Sequence, residues 1–265
     1  MRDALRERGA TVDAADWRDP SVDWAGYDLC VLRSTWDYTD HLAEFRAWAG
    51  RVPRLVNPAA IVEWNTDKRY LRDLATAGVP ITPTDFVAPG ETWTPPGDGE
   101  WVVKPTVAGG SAEAGRYRLP AQRNLAEAHV ARLTANGRTV MIQPYLTAID
   151  TYGETAVLFL PDEQGRLGFS HAIRKNAMLT GPYTGGGPRD HEGVRPVPAS
   201  PAELAVAAQV LAAVPGDLLY ARVDLIPGSD GAPLLGELEL TEPSLFLRSE
   251  PSSAPRMADA VLARL

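Results

Sequence analysis

Two carboxylates, Glu237 and Glu239, stand two residues apart in the otherwise apolar run Leu234-Leu-Gly-Glu-Leu-Glu-Leu-Thr-Glu-Pro243. On a β-strand that spacing puts both on one face. There they repel each other and lose hydration unless something positive neutralises them. Asp224, in Tyr220-Ala-Arg-Val-Asp224, joins them if the two strands pair. Three hard oxygen donors, together with nucleotide phosphates, suit Mg2+, which takes few protein carboxylates and keeps some of its waters. The competing assignment leaves the glutamates facing solvent while Leu234, Leu235, Leu238 and Leu240 form core, and the pattern alone divides evenly between the two.

A second constellation begins at Val102-Val-Lys104 and continues as Pro-Thr-Val-Ala-Gly-Gly-Ser-Ala-Glu-Ala-Gly115. A strand ends in a lysine, and a loop of small residues follows, including Gly109, Gly110 and Ser111. Such a loop can bring backbone N–H groups against phosphate oxygens, with the lysine as a point charge at its base. It matches neither G-x-x-x-x-G-K-[ST] nor G-x-G-x-x-G, and a plain hairpin turn is the alternative. The lysine carries a further signal. Of 26 basic residues only Lys68, Lys104 and Lys175 are lysines. The heavy use of Ala, Gly, Pro and Arg points to a high-GC coding bias, under which a lysine is retained either where a compact ammonium is required and a guanidinium does not fit or, as the commoner alternative, by chance on the surface.

Three weaker clusters follow. Val140-Met-Ile-Gln143-Pro144-Tyr145-Leu146, with Asp150 and Glu154 beyond, reads as an apolar strand running into a hinge whose backbone could meet an adenine edge. Arg33-Ser34-Thr-Trp36-Asp-Tyr38 lies just past a strand's carboxyl end, where α/β folds collect ligands. Ser170-His-Ala-Ile-Arg174-Lys175 sets two adjacent cations on a strand, so they face opposite sides and at most one lines a given site. Taken singly, each is better explained by a linker or by ordinary surface charge.

The elements that must position these groups alternate at first. Ala4 to Arg8 reads as a helix stopped by Gly9, Tyr27 to Leu32 as a strand, His41 to Ala49 as an amphipathic helix closed by Gly50, and Arg54 to Val56 as a strand. Asn57-Pro58 reads as a helix cap with proline at the first helical position, and a further helix covers about Asp67 to Ala77. That rhythm implies a small parallel sheet. It opens on a helix where such a lobe usually opens on a strand, so the first strand is expected to be missing. Residues 81 to 147 read as short strands around a helix from Leu125 to Leu133, with a Pro/Gly-rich loop from Pro89 to Gly99. Longer strands follow: Thr155 to Leu160, Gly168 to Arg174, Leu218 to Ile226 and Pro233 to Leu240. Helices are expected from Glu203 to Val214 and from Ala254 to Leu265, and the stretch from Leu179 to Pro198, with Gly185-Gly-Gly187, as a loop. Three lobes result, at 1–80, 81–147 and 148–265.

Composition excludes several classes. The 265 residues are 45% hydrophobic and 23% charged, as in ordinary globular proteins. No apolar run reaches membrane-spanning length, and the N-terminus lacks a secretory h-region, so a cytoplasmic protein without membrane partners is expected. One cysteine, Cys30, leaves no internal disulfide and no Cys-based zinc site. A net charge of −8 argues against a general nucleic-acid binder. The sequence is silent on oligomeric state and leaves a homodimer open.

Taken in order, these pieces resemble the ATP-grasp superfamily, in its glutathione-synthetase-like branch and particularly the bacterial cyclo-ligases of the D-cycloserine type (O-ureido-serine cyclo-ligase-like). The matching segments are Arg33 to Tyr38, Asn65-Thr-Asp-Lys-Arg-Tyr-Leu71, Val102-Val-Lys-Pro105 with its Gly loop, Ile142 to Leu146, Ser170 to Lys175, Ala221-Arg-Val-Asp224 and Glu237 to Leu247. They span nearly the whole chain, and the ordered set is more specific than any member. The resemblance implies an α/β plus α+β ATP-grasp fold: a pre-ATP-grasp lobe on the substrate side, a central lid lobe and a C-terminal lobe with the metal site. It implies Lys68 and Lys104 on the ATP phosphates, the Ala108–Gly115 loop over them, Gln143 to Leu146 at adenine, and Glu154 (with Asp150 as competitor) on the ribose. It implies Asp224, Glu237 and Glu239 on Mg2+, with Glu239 where asparagine is usual, and Arg222 on the transferring phosphoryl group. Arg174 or Lys175 would face phosphate or substrate carboxylate, and Arg33, Ser34, Trp36 and Tyr38 the substrate. The implied reaction is ADP-forming ligation of a small amino-acid-like substrate through an acylphosphate. A nucleotide-binding module without chemistry and a dipeptide-type ligase remain as rivals.

Overall fold

The computed structural model describes residues 1–95, 97–186 and 193–265. Its N-terminal part holds α1 (Arg2–Arg6), β1 (Cys30–Val31), α2 (Leu42–Ala49), β2 (Leu55–Val56), α3 (Ala59–Asn65) and α4 (Tyr70–Thr76). The strands pair in parallel, Cys30 beside Leu55 and Val31 beside Val56. They are shorter than the apolar runs that contain them. Phe45, Trp48 and Ala49 on one face of α2 pack with Trp17, Tyr38, Leu55 and Val62. The Trp17 and Phe45 rings meet edge to face at 5.1 Å. The expected cap at Asn57 is replaced: Pro58 holds the cap position without a side-chain bond. Asn57 is instead fully buried, reaching the Tyr220 and Leu240 carbonyls and accepting from Leu219 N.

The second sheet contains β3 (Asp85–Val87), β4 (Gly99–Pro105), β5 (Gly115–Leu119) and β6 (Val140–Pro144), in the order β3-β6-β4-β5. All its pairs are antiparallel. Helix α5 (Arg123–Ala135) covers one face, where Ala126, Val130 and Leu133 pack on Val103, Tyr117 and Ile142. The opposite face, carrying Val102 and Lys104, is left to look across a cleft.

The third sheet is also antiparallel: β7 (Glu154–Pro161), β8 (Leu167–Lys175), β9 (Arg195–Val197), β10 (Ala221–Pro227) and β11 (Pro233–Glu239), ordered β11-β10-β7-β8-β9. A short α6 (Ile149–Tyr152) leads into it, and α7 (Pro201–Ala212) and α8 (Ser253–Leu262) cover its two faces. Helix α7 begins with a full capping box, Ser200 and Glu203 bonding each other's backbone N–H. Tyr70, Leu71 and Leu74 of α4 pack in the same core as Val157, Val223 and Leu238, so the N-terminal segment is fused to the large sheet. Helix α1 likewise seats Leu5 among Met257, Ala258 and Val261 of α8. The α8 face is apolar at Ala156, Leu158 and Leu160 and turns polar at Glu154, Arg222 and Asp224, under the cleft. Among the described residues no helix is long and apolar enough to cross a membrane.

Candidate active site

The cleft between the second and third sheets holds a cavity of about 120 Å³ that opens to solvent at its mouth. Strand pairing assembles its floor. Asp224 stands opposite Glu237, and Arg222 opposite Glu239, on β10 and β11. Glu154 stands opposite Lys175 on β7 and β8. Leu235 and Leu238 turn to the core while Glu237 and Glu239 line the cleft, so the two readings of that strand hold together.

The floor is a lattice of alternating charge. Arg222 donates to both Asp224 oxygens at 2.9 and 2.8 Å and also to Glu239. Lys175 meets Asp224 at 2.7 Å and also pairs with Glu154. Lys68 meets Glu237 at 3.0 Å and donates to the Ala108 carbonyl at 2.6 Å. Burial pushes the Asp224 carboxyl up, but Arg222 and Lys175 outweigh it and hold the group well below the ordinary range. Burial likewise opposes the Lys175 charge, yet Asp224 and Glu154 keep its ammonium above its usual value. Glu237 is held low because Lys68 and Lys104 overcome its burial. Glu239 is the exception: burial, only partly offset by Arg222 and aggravated by Glu237 and Asp224, pushes it up to about 7. Lys104 looks down on this floor from β4, its pKa lowered chiefly by burial. The donor set is hard carboxylate oxygen, short of positive charge at Glu239, and its chemistry fits a divalent cation. As the side chains stand, each is turned to a cation of the chain, and among the described residues no group of three acidic, His or Cys side chains converges on one point.

The roof comes from the second sheet and its connections. Gly110, Ser111, Ala114, Gln143, Pro144, Tyr145 and Leu146 all line the cleft, whereas Gly109 does not. The loop's curvature rests on more than glycine: Ser111 (φ 54°) and Glu113 (φ 53°) are both left-handed. Glu113 is tied down by Arg132 at 2.8 Å and Arg138 at 3.0 Å. The Tyr145 N–H is spent on the Glu100 carbonyl at 2.7 Å. The Gln143 amide is spent on Thr84 at 2.8 Å.

Several expected site residues stand away from the cleft. Arg174 does not reach the cleft: it faces the other side of β8, 3.6 Å over the Tyr152 ring, bonded to the Tyr152 carbonyl and 3.7 Å from Glu203. Alternation on the strand leaves Lys175 as the inward cation. Asp150 is also outside, paired with Arg116 and Tyr145, while Glu154 lines the cleft. Tyr38 is buried in the N-terminal core, stacked on Phe45 at 4.9 Å. Trp36 is 56% exposed and does not line the cleft. Ser34 is exposed, in a left-handed conformation (φ 57°). Arg33 lies beside the floor, within electrostatic reach of Glu239, Glu242 and Arg222. Of the loop expected from Leu179 to Pro198, Leu179 lines the cleft, Tyr183 touches the lid, and residues 187–192, with Gly187, lie outside the described residues.

Sequence reasoning missed Glu113, Asn57 and the Tyr183 contact. Glu113 had a signal, being the one charge in a loop of small residues. Tyr183 had none: it stacks on His129 at 5.1 Å and lies under Arg132, both far away in sequence.

Comparison with known proteins gives this geometry its relatives. The family described as D-cycloserine synthetase DcsG, N-terminal domain, matches residues 1–57. The whole chain is 41% identical to the cycloserine biosynthesis protein DcsG of Streptomyces lavendulae, spanning 92% of that protein. The crystal structure of D-cycloserine synthetase DcsG superposes with a TM-score of 0.86 at 38% identity, over 99% of this chain and 92% of that one. The RimK domain ATP-grasp protein of Sphaerobacter thermophilus, at 14% identity, superposes with a TM-score of 0.60 over 100% of this chain and 93% of that one. The three-sheet architecture is that of the ATP-grasp fold.

Proposed function

The chain belongs to the DcsG family of ATP-grasp ligases, and we propose on that premise that it joins a carboxylate to a nitrogen within a small amino-acid-like molecule, releasing ADP and phosphate. The observation that carries this reading is the single cleft in which Lys104, Lys175 and Arg222 meet Asp224, Glu237 and Glu239 between two sheets. Cations there bind phosphates, while the acidic floor accepts the metal that accompanies them.

Lys104 and the Gly110–Ser111 backbone grip the phosphates from above. Lys68, anchored on Ala108, holds the base of that loop. Pro144, Tyr145 and Leu146 flank the base, and Glu154 takes the ribose hydroxyls once Lys175 turns from it to a phosphate oxygen. Asp224, Glu237 and Glu239 would hold Mg2+, which supplies charge neutralisation on the phosphates. A substrate carboxylate oxygen attacks the γ-phosphorus, and the bond to the ADP oxygen breaks. Arg222, fixed by Asp224 and Glu239, stabilises the charge spread over the phosphoryl oxygens. The substrate nitrogen then attacks the acylphosphate carbon. Phosphate leaves, and the nitrogen's proton passes to phosphate or water. No side-chain nucleophile is needed.

The first test is a thermal-shift titration with Mg2+ and a non-hydrolysable ATP analogue. A ligand at a hundred times its Kd adds roughly 2.7 kcal/mol, a rise of a few degrees in Tm for a chain of this length. Lys104→Ala is expected to lose that shift and to lower ADP formation at least about 100-fold while melting normally. Asp224→Asn is expected to do the same. Unaltered turnover in either variant refutes the assigned roles. Substrate-dependent ADP release separates the ligase from a module that binds nucleotide without chemistry. Product mass separates ring closure, which removes one water from a single substrate, from joining two amino acids.

A further inference from the structure

The Tyr145 ring is held from outside the cleft by a side chain that lines no part of it. Tyr145 lies on the connector between β6 and α6 and lines the cleft with Pro144 and Leu146. A half-buried ring on such a connector has rotamers open to it that leave the cleft wall. Three contacts remove that freedom. Its backbone N–H donates to the Glu100 carbonyl at 2.7 Å. Its hydroxyl donates to Asp150 of α6. The Arg116 guanidinium lies over the ring, 3.6 Å from its centre. Burial, then the bond to Asp150, push the phenol above its usual pKa, so it stays a donor.

The three holders also hold each other. Arg116 Nε donates to the Glu100 carboxylate, and Nη1 and Nη2 reach the two Asp150 oxygens at 3.3 and 3.2 Å. Arg118 donates to the other Glu100 oxygen at 3.0 Å, so two carboxylates meet two guanidiniums. Exposed ion pairs hold little by themselves, but the Arg116 and Glu100 side chains are only 17% and 20% exposed. A planar fork bridges two carboxylates and covers a ring at once, which a compact ammonium does not. Arg116 takes one more segment. Its Nη1 donates to the Leu179 carbonyl at 3.5 Å, and its backbone N–H donates to the Gly181 carbonyl at 2.9 Å. Leu179 lines the cleft, as Tyr145 does. One side chain therefore ties together two lining residues from opposite sides, Tyr145 after β6 of the second sheet and Leu179 after β8 of the third.

We propose that Arg116 is a positioning residue for nucleotide binding: through its stack on Tyr145 and its bond to Leu179 it fixes the wall against which the nucleobase packs, and so sets affinity for the base without touching the nucleotide. The inference rests on the reading that places Pro144 to Leu146 beside the base. It also gives Asp150 a part to play away from the ribose, as the clamp on the Tyr145 hydroxyl and on the Arg116 fork.

The experiment titrates the full chain by calorimetry with two probes in the presence of Mg2+. One is a non-hydrolysable ATP analogue. The other is inorganic tripolyphosphate, which offers phosphates and no base, read by displacement of the analogue. Arg116→Met keeps length and apolar bulk and leaves the backbone bond to Gly181 in place. It is expected to weaken the analogue about 10-fold and to leave tripolyphosphate within about twofold of the wild type. Arg116→Lys keeps the charge and loses the fork; a smaller loss is expected, and it serves if Arg116→Met melts early. In a Tyr145→Ala background Arg116→Met is expected to cost less than in the wild type, because one of the two groups it holds is gone. Analogue affinity that survives loss of the fork, in either variant, overturns the positioning role and leaves the ligase reading standing. An equal loss for both probes does the same, because it marks a general disturbance of the cleft. A wild type that binds neither probe overturns the nucleotide reading and this proposal with it.

Discussion

Glu113 and His129 illustrate how single residues hold the lid in shape. Glu113 accepts from two arginines while adopting a left-handed backbone that costs on the order of 1 kcal/mol. Glu113→Gln should loosen the phosphate loop, raising KM for ATP several-fold with a small change in Tm, as steady-state kinetics would register. His129 Nδ1 shares a hydrogen bond with the Tyr117 hydroxyl at 2.7 Å, and its Nε2 is buried with no hydrogen-bond partner among the described residues. Burial, then Arg132, lower its pKa from 6.5 to about 4. The unfolded chain therefore binds this proton first, so stability is full above about pH 6.5 and is lost as pH falls toward 4. Allowing for partial solvent screening, the loss is about 1–2 kcal/mol. Melting curves between pH 7 and 4 should show it in the wild type, and His129→Gln, which keeps an acceptor and cannot titrate, should have a flatter profile.

At the scale of elements, the turn from α6 into β7 sets the floor of the cleft. Gly153 has φ +86°, and a Cβ there would lie 2.5 Å from the Lys175 carbonyl. The neighbour is backbone and cannot swing aside. Gly153→Ala should therefore cost about 2 kcal/mol or more and shift Glu154 against Lys175, weakening nucleotide binding. Gly90→Ala is the control: its φ is also positive, at +84°, but open space surrounds it. Denaturant unfolding of the two variants separates strain from crowding. If both lose the same stability, the close approach at Gly153 has no energetic weight.

At the scale of the molecule, the N-terminal segment and the large sheet are joined by buried polar stitches as well as by apolar packing. Asn57 spans to Leu219, Tyr220 and Leu240, and Asn65 to the Leu238 carbonyl and Leu240 N. Tyr70 bonds both backbone groups of Leu238. Asn57→Ala strands three buried backbone groups, a loss of about 3 kcal/mol or more and roughly 6–12 °C in Tm. A change under 2 °C by calorimetry would mean that water replaces the stitch.

The sequence by itself determined what depends on local period and composition. Alternation put Glu237 and Glu239 on one face of their strand and divided Arg174 from Lys175, because side chains on a strand repeat every two residues. Scarcity of lysine drew attention to Lys68, Lys104 and Lys175, and all three stand at the cleft or hold its loop. Only the tertiary structure decided which of each alternating pair faces inward, because that depends on which face the lid covers. It also decided that Glu154 and not Asp150 lines the cleft, that Tyr38 is core, and that Asn57 bonds a carbonyl 183 residues away instead of capping its own helix. These outcomes depend on neighbours brought close by sheet register and lobe packing, and no local window of sequence contains those neighbours.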